Sequence, residues 1–381
     1  MGDVLACLRG WHPALAAAEL AALLPNAELG STPAVRWLRV SRSTREERRA
    51  ALAVASGLQC FLDEGRVVAV SETDEEAWFA SAIAYVEAHP VEGSVAVRGW
   101  SQGGKLSGWS LSRLSRRLGG ALHERGYTVD LEHPERVLAL IGDGQAQHLA
   151  WGWMEGDGQA AFSNGERRAG ERPFFKPVSL DPMLARLAVN VAAGPVDAGP
   201  VVDPMTGTGG FLIEAALSNR PSLGIDLNSE MAHGAEANLV WACDGPVDHA
   251  RVVRGDATRL ADLLPEAWHG AVAGFVLDPP YGRNSHGNME SLSLLEACLR
   301  SARGVAAPTA GFVLILPVHP IQPHPETAVP LNTEFSLLHG DWEGVRTLIE
   351  ATGWTLQSAH VERVHRSLSR LILHARCAPQ D

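Results

Sequence analysis

The sequence contains few residues of the kinds that define several common protein classes. Of its 381 residues only two are lysines, Lys105 and Lys176, and only five are cysteines, none of them in a CxxC pair. This argues against a disulfide framework and against a zinc site built from cysteines, and we expect no metal. The Ala- and Leu-rich N-terminal stretch carries charges and prolines, so it predicts neither a signal peptide nor a membrane span. We therefore expect a soluble, cytoplasmic monomer that does not bind membranes.

Composition and charge narrow the expectation further. The chain is 46% hydrophobic and 20% charged, which is typical of a globular protein, and its length predicts two or three domains. A net charge of −12 argues against a nucleic-acid partner, because phosphate contacts require Lys and Arg. The charge is segregated, however. Residues 36–49 carry +4 and residues 98–125 carry +5, so the rest of the chain carries −21.

The two basic segments are candidate contacts for a nucleic acid. With so few lysines, phosphate contacts would come mostly from arginines, whose planar guanidinium groups bind phosphate bidentately. Trp100 and Trp109 lie within the second segment, a combination that fits backbone binding with base stacking. A solvated, arginine-rich helix face is the alternative for both segments. The candidate RNA-binding residues are Arg98, Lys105, Arg113, Arg116 and Arg117.

Hydrophobic patterns divide the chain into two halves. Short strands alternate with helices in the first half, which predicts a mixed α+β region. A polar, glycine-punctuated stretch ends near Pro173, and buried strands then alternate with helical segments, as in a doubly wound parallel sheet. The predicted strands are 4–9, 34–40, 66–70, 95–98, 127–131, 137–141, 200–202, 223–225, 274–277 and 311–316, and the predicted helices of the first half are 12–24, 45–58, 75–88 and 110–125.

The first motif is a strand, a glycine-rich turn and a helix start over residues 201–211. Gly207 and Gly209 allow the backbone to approach a ligand closely, and Asp226, nineteen residues after Gly207, is placed to bind ribose hydroxyls. The turn is not G-x-G-x-x-G, which disfavours NAD. Asp203, before the glycines, suits an amino-acid ammonium group, and therefore S-adenosylmethionine. A glycine-rich turn without a ligand is the alternative.

A second motif follows another apolar strand at Asp278-Pro279-Pro280-Tyr281. The Asp278 side chain and the Pro279 carbonyl can both accept from one exocyclic amine, which directs the nitrogen lone pair at an electrophile. Tyr281 can stack on the base, and Asp278 can take up a proton. A proline turn that caps a strand is the alternative interpretation.

Together these motifs resemble those of the amino-methyltransferases. The segment 172–177 and the runs 203–216, 224–226, 235–239 and 255–258 resemble, in order, those of THUMP-containing RNA guanine-N2 methyltransferases. The segments 8–10 and 129–135, together with Asp278 in place of Asn, favour the archaeal tRNA guanine-10 N2-methyltransferases, which make mono- and dimethylguanosine.

This resemblance implies the fold, the cofactor and the roles of the site residues. It implies an α/β chain with a Rossmann-like methyltransferase sheet after an α+β ferredoxin-like and THUMP RNA-binding region. The catalytic residues would be Asp278, Pro279, Pro280 and Tyr281. S-adenosylmethionine would contact Phe175, Asp203, Thr206, Gly207, Gly209, Asp226, Asp256 and Ala257, although an Asp in the position of Asp256 is commonly a helix N-cap.

The predicted organisation has four parts, and several functions remain open. A ferredoxin-like domain (1–65), a THUMP domain (66–153), a linker (154–172) and a methyltransferase domain (173–381) are expected. The substrate would be tRNA and not DNA. Guanine N2 at another tRNA or rRNA position, a DNA adenine-N6 methyltransferase and a non-catalytic RNA-binding protein are the alternatives.

Overall fold

The computed structural model describes residues 3–9, 11–156, 167–176, 180–279, 288–321 and 328–378. The chain forms two compact units. One contains Met1–Pro13, Asn26–Leu52 and Gly57–Ala160, and the other contains Ala14–Pro25, Ala53–Ser56 and Ala161–Asp381. Each unit holds one seven-stranded sheet, which confirms the α/β class. Among the helices of the described residues, none is both long and apolar enough to cross a membrane.

The first unit contains a single mixed sheet in the order β2-β3-β1-β4-β7-β6-β5. Only β5 and β6 are parallel; the other neighbours are antiparallel. In chain order the elements up to residue 156 are β1 (Val4–Leu8), α1 (Pro13–Leu23), β2 (Glu28–Ser31), β3 (Trp37–Ser41), α2 (Arg45–Val54), β4 (Leu58–Ala69), α3 (Glu75–Ala88), β5 (Val95–Gln102), α4 (Leu111–Glu124), β6 (Arg136–Asp143) and β7 (His148–Glu155).

Helix α3 shows how the sequence sets an element of the first unit. Asp74 precedes it and accepts a hydrogen bond of 2.7 Å from the Ala77 backbone N–H, which caps the helix N-terminus. Its buried Trp78 packs edge-to-face on Trp151 of β7, with ring centroids 6.1 Å apart. Leu114 of α4 is buried in the same cluster. The apolar faces of both helices therefore form a core with the sheet.

The first unit differs from the sequence prediction in several places. The strand predicted at 127–131 is wrong, because only Val129 forms a bridge, with Val95. Asp130 accepts from the backbone N–H groups of Glu132 and His133, both at 2.9 Å, and so turns the chain. Strands β2 and β7 were not predicted, and β4 extends across position 65. The proposed division into 1–65 and 66–153 stays a prediction.

The second unit has the strand order β10-β9-β8-β11-β12-β14-β13. Its first five strands are parallel, and β14 runs antiparallel to both of its neighbours. In chain order the elements after residue 166 are α5 (Pro182–Ala193), β8 (Val201–Asp203), α6 (Gly210–Ala216), β9 (Ser222–Asp226), α7 (Ser229–Ala242), β10 (Ala250–Arg254), α8 (Leu260–Leu263), β11 (Val272–Leu277), α9 (Asn288–Val305), β12 (Ala306–Val318), α10 (Trp342–Ala351), β13 (Trp354–His365) and β14 (Leu368–Cys377).

Strand β8 lies where the strand order of this sheet reverses. The chain adds β9 and β10 on one side of β8, and then β11 and β12 on the other. All residues of β8 and β11 are buried, as expected for parallel strands covered on both faces. In such a sheet the crevice outside the carboxyl ends of the strands, at the reversal, is where ligands bind.

Helix α1 belongs to the second unit, which the sequence did not predict. Leu15 is buried in the cluster that α5 forms with the sheet. Glu19 is fully buried, and its Oε1 accepts from the Ser56 backbone N–H at 2.9 Å and from Asn190 Nδ2 of α5 at 2.8 Å. Residues 14–25 and 53–56 are thus joined to α5 of the second unit through a buried polar network.

Close packing of α5 on β11 gives a stability prediction. A Cβ at Gly274 would lie 2.8 Å from both Cα and Cβ of Ala193, whereas Gly304, in α9, has nothing within 4 Å. We expect Gly274→Ala to lower the free energy of unfolding by about 1–3 kcal/mol, because α5 must shift. The control Gly304→Ala should change it by less than about 1 kcal/mol. Urea unfolding followed by circular dichroism measures both, and equal midpoints would contradict this packing.

Candidate active site

Three aspartates meet at the carboxyl edge of the second sheet. Asp203 ends β8, Asp226 ends β9, and Asp278 directly follows β11. Because β9, β8 and β11 are adjacent and parallel, their carboxyl ends open into the same crevice. The structure therefore brings together three acids that lie up to 75 residues apart in the sequence.

The glycine-rich turn lies on this edge. Gly207 and Gly209 have φ angles of +52° and +82°, in the left-handed region that favours glycine. The Gly207 N–H donates to Asp226 Oδ2 at 3.1 Å, and the Gly209 N–H donates to the Thr206 carbonyl at 2.7 Å. These bonds fix the turn between the ends of β8 and β9.

Asp203 is the most deeply buried acid of the group. Burial, with a smaller contribution from the nearby Asp226 and Asp278 carboxylates, raises the pKa of the Asp203 carboxyl to about 8. Its Oδ1 accepts from the Met205 backbone N–H at 3.4 Å. Within the described part of the chain, Asp203 Oδ2 and Thr206 Oγ1 are buried without a hydrogen-bond partner. A ligand that carries a cationic donor would satisfy the carboxylate.

Asn238 of α7 fastens the turn to the segment before α5. The fully buried Asn238 side chain accepts from the Phe174 N–H at 2.8 Å and donates to the carbonyls of Phe174 and Thr208 at 2.8 and 2.9 Å. The next residue, Phe175, is 51% exposed and available to a ligand. The sequence analysis did not single out Asn238. The available signal was an asparagine between apolar residues of a helix, because such a side chain needs hydrogen-bond partners when it is buried.

Asp256 lies beside Asp226, after the next strand of the sheet. The N–H of Gly255 donates to the Asp226 carbonyl at 3.0 Å. Asp256 is exposed, and its Oδ1 accepts from the Thr258 N–H at 2.9 Å and from Thr258 Oγ1 at 2.8 Å, so it caps the short turn that begins with the buried Ala257. The capping role is observed, and adenine contact by Asp256 and Ala257 stays a prediction.

Asp278 occupies a different electrostatic environment. Burial raises the pKa of its carboxyl to about 6, while the Arg370 guanidinium opposes the shift. Arg370, on β14, donates to Glu362 of β13 at 3.1 Å. Pro279 follows Asp278 in the described chain, whereas Pro280 and Tyr281 lie outside the described residues.

The predicted RNA-binding residues belong to the first unit and fall into two groups. Arg98, Lys105 and Arg116 are exposed. Arg113 forms an ion pair with Glu75, and Arg117 donates twice to Glu76 and lies 3.9 Å from the Phe79 ring centroid. Two of the five predicted charges are therefore offset by the first turn of α3.

In the other basic segment, two arginines have structural partners. Buried Arg36 pairs with Asp143 at 3.2 Å, and Arg48 binds both carboxylate oxygens of Glu155 at 2.8 and 2.9 Å. For these two arginines the prediction of phosphate contact is wrong, because their guanidinium groups are buried in ion pairs with residues of β6 and β7. Trp109 likewise packs against Trp78 at 6.2 Å.

The comparisons with known proteins define the class of the second unit. Residues 169–321 match the family described as "UPF0020: RMKL-like, methyltransferase domain". This range contains α5 to β12 and all three crevice aspartates. This part of the second unit is therefore similar to a methyltransferase domain, and the Rossmann-like core predicted from the sequence is confirmed.

More specific likenesses are to archaeal enzymes. The chain is 29% identical to the tRNA (guanine(10)-N2)-dimethyltransferase of Pyrococcus abyssi over 68% of each chain. It is 38% identical to the enzyme of the same name from Methanothermobacter thermautotrophicus over 47% of this chain and 50% of that one. Among solved structures it resembles TrmN from Thermus thermophilus, with 21% identity, a TM-score of 0.47, and coverage of 98% of this chain and 99% of that one. The resemblance inferred from the sequence is confirmed by these curated relatives.

A methyltransferase domain of this family implies S-adenosylmethionine, and the residues present fit it. The unpartnered Asp203 Oδ2 suits the ammonium of the methionine moiety, and Asp226 at the end of β9 suits ribose hydroxyls. The three carboxylates also favour a ligand with a positive sulfonium centre.

The raised pKa of Asp203 predicts a dependence of stability on pH. In the folded protein the Asp203 carboxyl keeps its proton up to about pH 8. In the unfolded chain an aspartate loses its proton at about pH 3.9. Stability therefore falls as pH rises between these values. We expect Asp203→Asn to be more stable than the wild type by more than about 1 kcal/mol at pH 8, with no difference near pH 4.

Denaturant unfolding at pH 4, 6 and 8 measures this trend. The matched control is Asp256→Asn, at an exposed position where asparagine can also cap the turn. The difference in the free energy of unfolding between Asp256→Asn and the wild type should not increase with pH. A pH-independent difference between Asp203→Asn and the wild type would contradict the assignment.

Proposed function

We propose that the protein is an S-adenosylmethionine-dependent tRNA methyltransferase. It modifies the exocyclic N2 of guanosine, at guanine-10, to N2-methyl- and N2,N2-dimethylguanosine. The observation that carries the proposal is the position of Asp278 and Pro279 at the end of β11, beside the Asp203 and Asp226 strand ends. The names of the archaeal relatives supply the tRNA and the position. A tRNA substrate also implies a cytoplasmic enzyme.

Asp278 and Pro279 would hold the target amine. A carboxylate and a backbone carbonyl can accept both amine hydrogens, which leaves the nitrogen lone pair directed at the methyl donor. With a pKa of about 6 the Asp278 carboxyl is largely ionised at pH 7, so it can accept. It can also take up the proton that the amine loses on methylation.

The remaining site residues have binding roles. S-adenosylmethionine, when bound, supplies an electrophilic methyl group on a sulfonium centre. Asp203, Thr206 and the Gly207–Gly209 turn would hold its methionine moiety, Asp226 its ribose, and Phe175 and Asp256 with Ala257 its adenine. Tyr281, after Pro280, would stack on the guanine, which must leave its stack to reach the pocket.

The first unit would bind the RNA. Arg98, Lys105 and Arg116 are exposed, and none of them forms an ion pair with another described residue. Such cations contribute most to the free energy of binding phosphate, because they lose no carboxylate partner when they bind. We propose that these three contact the tRNA backbone and that the unit includes a THUMP domain. Arg113 and Arg117 would contribute less.

The activity is tested with an unmodified tRNA transcript and radiolabelled S-adenosylmethionine, followed by mass spectrometry of nuclease fragments. We expect N2-methyl- and N2,N2-dimethylguanosine in the fragment that contains guanine-10, and no product when that base is replaced by adenine. Asp278→Ala should reduce the rate by about 100-fold or more while tRNA affinity stays unchanged.

Each alternative has its own result in this assay. Modified guanosine at another position of tRNA or rRNA would overturn the proposed position. Label in duplex DNA alone would indicate an adenine methyltransferase. Absence of label in every substrate, with tRNA bound, would indicate an RNA-binding protein without this activity.

The RNA-binding surface is tested by Lys105→Gln combined with Arg116→Gln. We expect weaker tRNA binding and a decrease of about 1–2 in the slope of log affinity against log salt, because two phosphate contacts are lost. The control is Arg300→Gln with Arg346→Gln, which removes the same charge from ion pairs with Glu296 and Glu343 in the second unit. Equal effects of the two double variants would remove this surface from the proposal.

A further inference from the structure

A group of arginines surrounds one glutamate beside the glycine-rich turn. Glu214 of α6 is fully buried, and its Oε1 accepts from Arg167 Nε at 3.1 Å. Its Oε2 accepts from Arg186 of α5, with Nε at 3.1 Å and Nη2 at 3.0 Å. Both oxygens of this carboxylate are therefore engaged by two arginines.

A third arginine, Arg172, has no such partner. It is 4% exposed, and its Nε donates weakly to the Arg167 carbonyl at 3.4 Å. Its Nη1 and Nη2 are buried and make no hydrogen bond to any described residue. Burial lowers the pKa of the Arg172 guanidinium, in keeping with a charge held away from water and without a bound anion.

The unpartnered end of Arg172 adjoins the glycine-rich turn. Its Nη1 lies 3.6 Å from the position that a Cβ on Gly210 would take, and Gly210 directly follows Gly209 at the start of α6. Asn238 holds the backbone two residues further on, because its side chain bonds both Phe174 and the Thr208 carbonyl of the turn. The guanidinium and the turn are therefore fixed together.

Charge balance indicates what this guanidinium requires. Three guanidinium groups, those of Arg167, Arg172 and Arg186, lie around Glu214 beside the turn, and the Asp181 carboxylate also acts on Arg172. On the crevice side the ionisable groups are acids, Asp203, Asp226 and Asp278. A ligand that joins an ammonium and a carboxylate on one carbon matches this change of sign, since each group can face its opposite.

We propose that Arg172 binds the α-carboxylate of the methionine moiety through Nη1 and Nη2, opposite the ammonium held by Asp203. The inference rests on the proposed use of S-adenosylmethionine. Two parallel N–H donors match the two oxygens of a carboxylate. This cation would offset the repulsion that the crevice acids exert on the carboxylate of the cofactor.

The test compares two ligands by titration calorimetry. One is S-adenosylhomocysteine, and the other is 5′-deoxy-5′-(3-aminopropylthio)adenosine, which has the same amine and thioether but lacks the carboxylate. The wild type should bind S-adenosylhomocysteine about 10- to 100-fold more tightly than the analogue. In Arg172→Gln this preference should fall to about twofold or less, through weaker binding of S-adenosylhomocysteine alone.

Two further variants separate binding from a structural role. Arg168→Gln, at an exposed position in the same segment, should leave the preference unchanged. Arg172→Lys keeps the charge without the paired donors, so its preference should be intermediate. Because Nη1 and Nη2 of Arg172 have no hydrogen-bond partner among the described residues, the ligand-free Arg172→Gln protein should melt at or above the wild-type temperature; a large decrease would indicate a structural arginine.

The inference and the proposed function fail differently. Equal affinity of the wild type for both ligands would overturn the role of Arg172, and it would do so even if Arg172→Gln did not fold. Equal weakening of both ligands in Arg172→Gln would also overturn it. No binding of S-adenosylhomocysteine by the wild type would instead contradict the use of the cofactor.

Discussion

The candidate site depends on the burial of acidic side chains at one sheet edge. The order β9-β8-β11 places Asp203, Asp226 and Asp278 at adjacent strand ends, where little water reaches the first of them. Burial raises the pKa of both the Asp203 and the Asp278 carboxyl, and the neighbouring acids add a smaller increase at Asp203 alone. A crevice of this kind stabilises a positive ligand, and it is unfavourable to the folded protein without one.

The surroundings of the crevice keep these acids in place. The glycine-rich turn donates to Asp226, and Asn238 fastens the turn to the segment that carries Arg172 and Phe175. On the far side of the turn, Glu214 pairs with Arg167 and Arg186, while Nη1 and Nη2 of Arg172 have no hydrogen-bond partner among the described residues. Acids on one side of the turn and the Arg172 guanidinium on the other would orient a zwitterionic ligand by its charges.

The sequence was most informative where a pattern is local. The turn over 201–211, the strand before Asp278 and the capped helix 75–88 could be predicted because their periodicity, glycines and caps lie within a few residues. The predicted strand at 127–131 is wrong because the turn chemistry of Asp130 outweighs a short apolar pattern. That helix α1 belongs to the second unit depends on Glu19 and Asn190, which are far apart in the sequence.

The net charge of a sequence segment did not predict how much free positive charge it presents, because the carboxylates that pair with its arginines lie elsewhere in the sequence. The segment 98–125 carries a net charge of +5, but Glu75 and Glu76, outside it, pair with two of its arginines. In the segment 36–49, Arg36 and Arg48 form buried ion pairs and so do not add to the surface charge that was counted there. Likewise, Arg172 belongs to the segment 172–177 that the sequence analysis identified. That its Nη1 and Nη2 have no hydrogen-bond partner among the described residues is seen only in the structure.

Before a cationic ligand binds, the buried Asp203 carboxyl is expected to be protonated at pH 7. Titration calorimetry of S-adenosylhomocysteine at pH 7, in two buffers of different ionisation enthalpy, gives the number of protons exchanged on binding. With a free-protein pKa of about 8 for Asp203, the wild type should release about one proton. Binding without proton release would contradict this protonation state.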